Sequence, residues 1–398
     1  MENLTHSLAG AVIADAALGR SATRRTRRVF LVAGVIAANA PDLDLLYTSI
    51  TPMPIGYLLH HRGHTHTVAG LLAQFAILTV MAVTVRRLSR TDPFPFVRMC
   101  VAIAIGLFSH LALDAANTYG VHPFFPIDNR WYYGDTFFIF EPWLWLVLAA
   151  TAAANATTRI GRALLVAFLV ILPVSSVVVG LVPWDALAIL GALTFVLGWN
   201  LRGHLPATRA IAALLVCLMF AAVMLVLSRV ARAEVRADLA LPPPARVLDI
   251  VMTPNPAFPV CWAVILIERD DRAGMFVLRR GSLSLIPGWR RADACPLNRF
   301  ATSRPLDSTN PRFVWVDQYR ISLESLRGLA GDCRAAAWLR FVRAPVVEQN
   351  RLFDLRFEND TRGNFTSMHH MPGDGRFGCP DYVPDWAMPR ADAVDLSR

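Results

Sequence analysis

No lysine occurs in the 398 residues; all 39 basic side chains are arginine. The bias runs through every segment alike, so it points to base composition rather than to selection for bidentate phosphate contacts. The net charge of +9 falls in short arginine clusters between apolar windows, not in a continuous basic face, and nucleic-acid binding is not expected. Charge of either sign is scarce: 17% of residues are charged against 55% hydrophobic, which excludes an ordinary soluble composition. Cysteine is sparse as well. The six cysteines contain no Cys-x-x-Cys pair, so a structural zinc site among the four of the C-terminal region is not expected. No basic stretch precedes the first apolar run, and Arg24, Arg25, Arg27 and Arg28 follow it, so a cleaved signal peptide is not expected. Internal repeats and low-complexity tracts are lacking too.

What is present is a series of long apolar windows. Val68–Val85, Val97–Leu113, Ala163–Val182, Trp184–Trp199 and Ala210–Leu227 each approach the length that spans a hydrocarbon core of about 30 Å. A first helix over Leu4–Leu18 is short for a span. The arginine clusters Arg24–Arg28, Arg86–Arg90, Arg159–Arg162 and Arg202–Arg209 fall at alternate loops, as a consistent positive-inside topology requires. Loops 48–66 and 117–141 and the Val182–Trp184 turn then lie on the opposite, extracytoplasmic side. The expected fold is an all-α polytopic transmembrane helical bundle of about 7–8 apolar helices over residues 1–232, followed by a small C-terminal β-rich (α+β) domain.

The change of class comes after Leu227. Pro242–Pro244 centre a stiff linker over residues 233–246. In residues 247–398, β-branched or alternating runs such as Trp262–Glu268, Met275–Leu278, Arg312–Val316, Trp338–Val342 and Leu352–Phe357 sit between turn-forming clusters. Counting crossings places this domain outside the cytoplasm, although Arg229, Arg232 and Arg236 argue the other way. Its four cysteines, Cys261, Cys295, Cys333 and Cys379, are compatible with two disulfides in an oxidising compartment or with four buried thiols.

Seven of the ten histidines lie in the first 122 residues: His6, His60, His61, His64, His66, His110 and His122. They recur beside acids. Asp42 and Asp44 follow Pro41 at the outer end of the second apolar segment, and the run His-His-Arg-Gly-His-Thr-His-Thr at 60–67 is expected to open the next helix from that side. His110 and Asp114 are four apart and project from one helix face. The topology, drawn without reference to histidine, sets all of them at one membrane level. Imidazole and carboxylate together suit zinc above all, with manganese or iron as alternatives, and ionisable groups at the edge of hydrocarbon mark function by default.

Each group also has a bland reading. His6 can be an interfacial polar residue and His110 a satisfied core histidine; Asp42 can cap a helix, and the aromatic run around Trp131 can be an interfacial belt. Not every histidine of 60–66 can ligate, because neighbours face different directions. The candidate metal ligands are His6, Asp42, His61, His64, His66, His110 and Asp114. Arg62 is a candidate anchor for a substrate phosphate, and Asp44 or Asp135 for accepting a proton. His122 and Glu141, on the same side, are further candidates for a ligand or an acid/base.

The set Thr5-His6, Pro41-Asp42-Leu-Asp44, His61-Arg62-Gly63-His64-Thr65-His66, His110-Leu-Ala-Leu-Asp114 and Tyr119-Gly120 resembles the bacterial and archaeal family of membrane-bound metal-dependent hydrolases typified by the inner-membrane protein YdjM. Its motifs cover about the first 140 residues, are specific in combination and weak singly, and imply a multi-pass protein of the bacterial cytoplasmic membrane. The pattern Pro256…Trp262 and Phe353-Asp-Leu-Arg-Phe357 looks like the outer domain of longer members. A more distant likeness is to zinc-dependent phospholipase C and P1-type nucleases; it implies His6, Asp42, His66, His110 and Asp114 as ligands. This chain departs from those enzymes in being embedded in membrane.

The function expected from the sequence is hydrolysis of a phosphoester or lipid-linked substrate by metal-activated water. The alternatives are a metal-binding transporter and a non-enzymatic membrane protein with a partner-binding outer domain. A membrane lipid or lipid-linked molecule is the expected partner; the oligomeric state is left open.

Overall fold

The computed structural model describes residues 1–19, 23–88, 94–239, 245–296, 310–357, 363–370 and 378–394. The helical half runs through α1 (Asn3–Leu18), α2 (Arg24–Asn39), α3 (Ile55–His60), α4 (Val68–Leu88), α5 (Phe96–Ala115), α6 (Pro142–Asn155), α7 (Arg159–Val178), α8 (Trp184–Leu201) and α9 (Pro206–Asp238). Among the described residues, six helical segments are long and apolar enough to cross a membrane; α1 at 16 residues and α6 at 14 fall short of that length. Start signals are local. Thr23 and Thr158 cap α2 and α7 through their hydroxyls, while proline opens α6 and α9, where its missing N–H costs nothing.

The membrane assignment shows in the packing. On α4, α7, α8 and α9, large apolar side chains such as Leu72, Ile171, Phe195 and Leu218 stand exposed, as a lipid-facing surface requires. α6 is the converse: Trp143 to Ala149 are all buried, so its whole first half is interior. α1 and α2 cross at Gly10 and Gly34. A Cβ on Gly10 would meet the Gly34 carbonyl oxygen at 2.3 Å, and one on Gly34 would meet that of Gly10 at 2.4 Å. Only glycine permits this approach, and it draws α1 against the helix that leads to Asp42.

After α9 come β1 (Arg246–Asn255), β2 (Phe258–Asp270), β3 (Met275–Ser284), β4 (Phe313–Ser322), α10 (Leu323–Gly331), α11 (Cys333–Leu339), β5 (Pro345–Glu348), β6 (Arg351–Asp354) and β7 (Met368–His369). β1 to β4 form an antiparallel sheet in sequence order, and β5 to β7 a small second sheet. The expected helical bundle followed by a β-rich α+β region is what the fold shows. Disulfides join Cys261 to Cys295 and Cys333 to Cys379.

Three sequence expectations need correction. α9 stays helical to Asp238, well into the stretch read as linker, because nothing before the prolines breaks it; Pro242–Pro244 lie outside the described residues. Trp338–Val342 is not a strand: it completes α11 and turns, with Trp338 buried and its indole N–H donating to the Thr366 carbonyl. The run 60–67 does not open α4. It ends α3 and forms a 3-10 turn at His64–His66, and α4 begins at Val68.

The two halves share a core. Leu58 and Leu59 of α3 and Tyr119 and Trp131 of the loop after α5 pack with Trp338, Phe341 and Trp386. The indole N–H of Trp386 donates to the Leu59 carbonyl and that of Trp131 to the Arg340 carbonyl.

Candidate metal centre

Four chain segments deliver the cluster. α1 carries His6. The 3-10 turn Ala40–Leu46, which continues α2 past Pro41, carries Asp42 and Asp44. The turn before α4 carries His66, and the last two turns of α5 carry His110 and Asp114. Asp42, His66, His110 and Asp114 are all buried and each aims one ligand atom at a common point.

The pairwise distances define that point. His66 Nε2 and His110 Nε2 are 3.0 Å apart. Asp42 Oδ1 is 3.5 Å from each of those nitrogens, and Asp114 Oδ2 is 3.3 Å from His66 Nε2 and 3.4 Å from His110 Nε2. A regular tetrahedron with corners about 2.05 Å from its centre, the zinc–nitrogen and zinc–oxygen distance, has edges of about 3.3 Å. The five edges match it.

The surrounding bonds orient the ring nitrogens. His110 Nδ1 lies 2.6 Å from the Ala38 carbonyl oxygen; the carbonyl has no proton, so Nδ1 donates and Nε2 presents its lone pair to the cluster. His66 Nδ1 lies 3.2 Å from Asp44 Oδ2, which orients that ring in the same way. Burial alone would lower the His66 pKa, but bonds to Asp114, Asp42 and Asp44 outweigh it and raise it to about 10. Three carboxylates around one imidazole are a concentration of negative charge that a divalent cation neutralises.

Around this core stand the other candidates. His6 stacks on His110 with ring centroids 3.7 Å apart, its Nε2 is 3.4 Å from Asp114 Oδ1, and neither of its nitrogens has a hydrogen-bond partner. The Met1 amine donates to Asp114. Asp44 accepts from the Arg62 backbone N–H and the Thr65 hydroxyl and faces His61 Nδ1 at 3.1 Å; with Asp42, this pair is a second group able to hold an ion. Arg62, at φ 58°, turns its guanidinium inward to Asp114 Oδ1 at 2.9 Å and Asn117 Oδ1 at 3.0 Å, over the Tyr119 ring. Asn117 escaped the sequence reading, and Thr65 and Tyr119 stood in its motifs without a role. Asn117 lies three residues beyond Asp114, a spacing that could have flagged it.

Other predicted residues fall elsewhere. His64 packs against Phe125 and Trp386, facing away from the cluster, and His60 bonds the Thr51 hydroxyl. His122 is buried between Trp131 and Trp386; burial lowers its pKa to about 3. Glu141 caps α6 and accepts from the backbone N–H of Trp143 and Ala257; burial pushes its pKa up to about 8. Asp135 does not reach the cluster. Arg343 holds it in a two-pronged bond at 2.7 and 3.0 Å, and Arg232 reaches it at 2.7 Å.

Fold and site thus define a polytopic membrane protein with a buried His/Asp group able to hold a metal ion. Residues 1–186 match the family model described as YdjM inner membrane protein, a stretch that contains every residue of the cluster and ends at the start of α8. Neither the comparison with curated proteins nor that with solved structures gave a match.

Proposed function

We propose that this chain is a membrane-bound metal-dependent hydrolase acting on a phosphoester or lipid-linked substrate. The tetrahedral convergence of Asp42, His66, His110 and Asp114 carries the reading, because two imidazole nitrogens and two carboxylate oxygens at zinc-like edges are the donor set of a divalent cation. Zinc fits best, with manganese and iron next. When bound, such a cation supplies a water of near-neutral pKa and polarises the scissile group.

The chain's own residues divide the remaining work. Asp44 keeps the His66 ring in register and is the carboxylate placed to take a proton. Asp135, committed to two arginines, is not. Arg62 balances Asp114 and retains an Nε–H without a partner, the donor set aside for a substrate phosphate. The ligands sit at helix ends and in turns, a placement that favours hydrolysis at the membrane boundary over transport through its midplane.

Arginine clusters alternating along the apolar helices support a bacterial cytoplasmic-membrane protein, and the two disulfides support an extracytoplasmic C-terminal region. The test is elemental analysis of the purified full chain, then a screen of phospholipid and phosphodiester hydrolysis with and without chelator. Bound metal is expected, lost together with activity in His110→Ala and Asp114→Ala. Folded protein free of metal overturns the proposal, and metal flux into vesicles without hydrolysis would point to transport.

A further inference from the structure

A cavity lies at the opposite end of α6 from the metal cluster. The first turns of α6 face that cluster: the Trp145 indole N–H donates to Glu2 and to the Thr5 hydroxyl, beside His6. Its last turns, with α7, α8 and the first turn of α9, line a half-open cavity of about 370 Å³. Val147, Val166 and Leu197 line its walls, and Arg162, Arg202 and Arg209 stand at its mouth.

These arginines are held but not neutralised. Arg162 Nη2 donates to the Ala156 carbonyl at 3.1 Å, and Arg209 Nη1 to the Ala154 carbonyl at 2.9 Å, both at the C-terminal end of α6. Arg202 lies over the Trp199 ring at 3.5 Å. Among the described residues no carboxylate pairs with any of the three. The carbonyl contacts and the ring fix three guanidinium groups around one opening and leave most of their N–H donors unused.

We propose that this cavity binds an anionic phospholipid, with an acyl chain between α6, α7 and α8 and the phosphate among Arg162, Arg202 and Arg209. A water-soluble anion has no use for the apolar walls, and an uncharged chain has no use for the arginines; an amphipathic anion satisfies both. A zwitterionic headgroup would bring its own cation among three others, so the site discriminates by charge. It does not depend on the metal reading, because it shares no residue with that cluster.

The experiment measures phosphatidylglycerol and phosphatidylcholine binding to the purified full chain by native mass spectrometry, with inorganic phosphate as competitor. Phosphatidylglycerol is expected to stay bound and phosphatidylcholine to leave. Each Arg→Gln change at 162, 202 and 209 should weaken binding about fivefold, on the order of a hundredfold for all three. Arg86→Gln with Arg87→Gln, at the end of α4, serves as control and should leave binding unchanged. A Cβ on Gly198, another lining residue, meets nothing within 4 Å, so Gly198→Phe can fill the cavity with every arginine kept. It should abolish retention even where the triple variant fails to fold. Equal loss in the control pair, equal retention of phosphatidylcholine, retention in Gly198→Phe, or displacement by inorganic phosphate overturns the proposal.

Discussion

Among the described residues, two acidic clusters stand out, and they are built on different rules. Around Asp135 and Asp249 every carboxylate meets a guanidinium: Arg343 bridges the two acids at 2.7 and 2.8 Å, and Arg232 adds a third contact. Burial alone would raise the Asp249 carboxyl, but the Arg343 charge holds it at about 2. Around Asp42 and Asp114 imidazoles are added to the cations: Arg62 and the Met1 amine hold Asp114 Oδ1, but Asp42 Oδ1 and Asp114 Oδ2 face His66 and His110, and His6 and Asp114 Oδ2 keep atoms with no hydrogen-bond partner. Cationic side chains take up both acids of the first cluster, whereas in the second two carboxylate oxygens and two imidazole nitrogens gather together. The difference separates a clamp between the helical half and the sheet region from a His/Asp group able to hold a metal ion. Carboxylates alone would not have told the two apart.

The clamp yields the largest expected effect. Arg343→Ala leaves Asp135 and Asp249 short of their shared partner and should cost about 3–5 kcal/mol. Chemical unfolding would read this, with metal stoichiometry unchanged in the protein that stays folded. If metal is lost with Arg343, the two clusters are not separate.

In the metal cluster, Asp44→Asn keeps the shape but weakens the hold on His66. Metal affinity should fall about 10- to 100-fold, read by competition with a chelator, and global stability should move little. An unchanged affinity would remove Asp44 from the site.

An effect confined to a pH window belongs to a lone acid with neither kind of company. Glu141 has a raised pKa, so its folded form keeps a proton between its ordinary value and about pH 8. Its contribution to stability is fully present below pH 4.5 and lost as pH rises through 8. Glu141→Gln should flatten that decline, giving a variant nearer to wild type at pH 5 than at pH 8 in thermal unfolding. A parallel decline in both proteins would show that Glu141 is not the titrating group.

The comparison also explains what the residues reveal in advance. Apolar runs and arginine spacing mark the helices because lipid demands both. β-branched runs mark β2, β3 and β4, since each is a long strand. His110 and Asp114 announce themselves through a four-residue spacing, and Asp42 through its place after Pro41. The sorting of His60, His61, His64 and His66 is not legible, because a 3-10 turn rather than a helix carries His64 and His66 and sends them opposite ways. Nor is the fate of Asp135. Its partner Arg343 lies 208 positions away, and no periodicity connects the two. The disulfide pairing likewise depends on which segments meet across the sheet region.

α9 runs 33 residues, about 50 Å at 1.5 Å per residue, against about 30 Å of hydrocarbon. From Arg209 at the mouth of the lipid cavity to Ser228, whose hydroxyl donates to the Asp135 carbonyl, the helix rises roughly 29 Å. It therefore acts as a ruler whose two marks stand about one hydrocarbon thickness apart. Its remaining length, to Asp238, carries the chain on toward the sheet that starts at Arg246. Lengthening it by one turn would lift β1 about 5 Å relative to Asp135 and pull the clamp out of register.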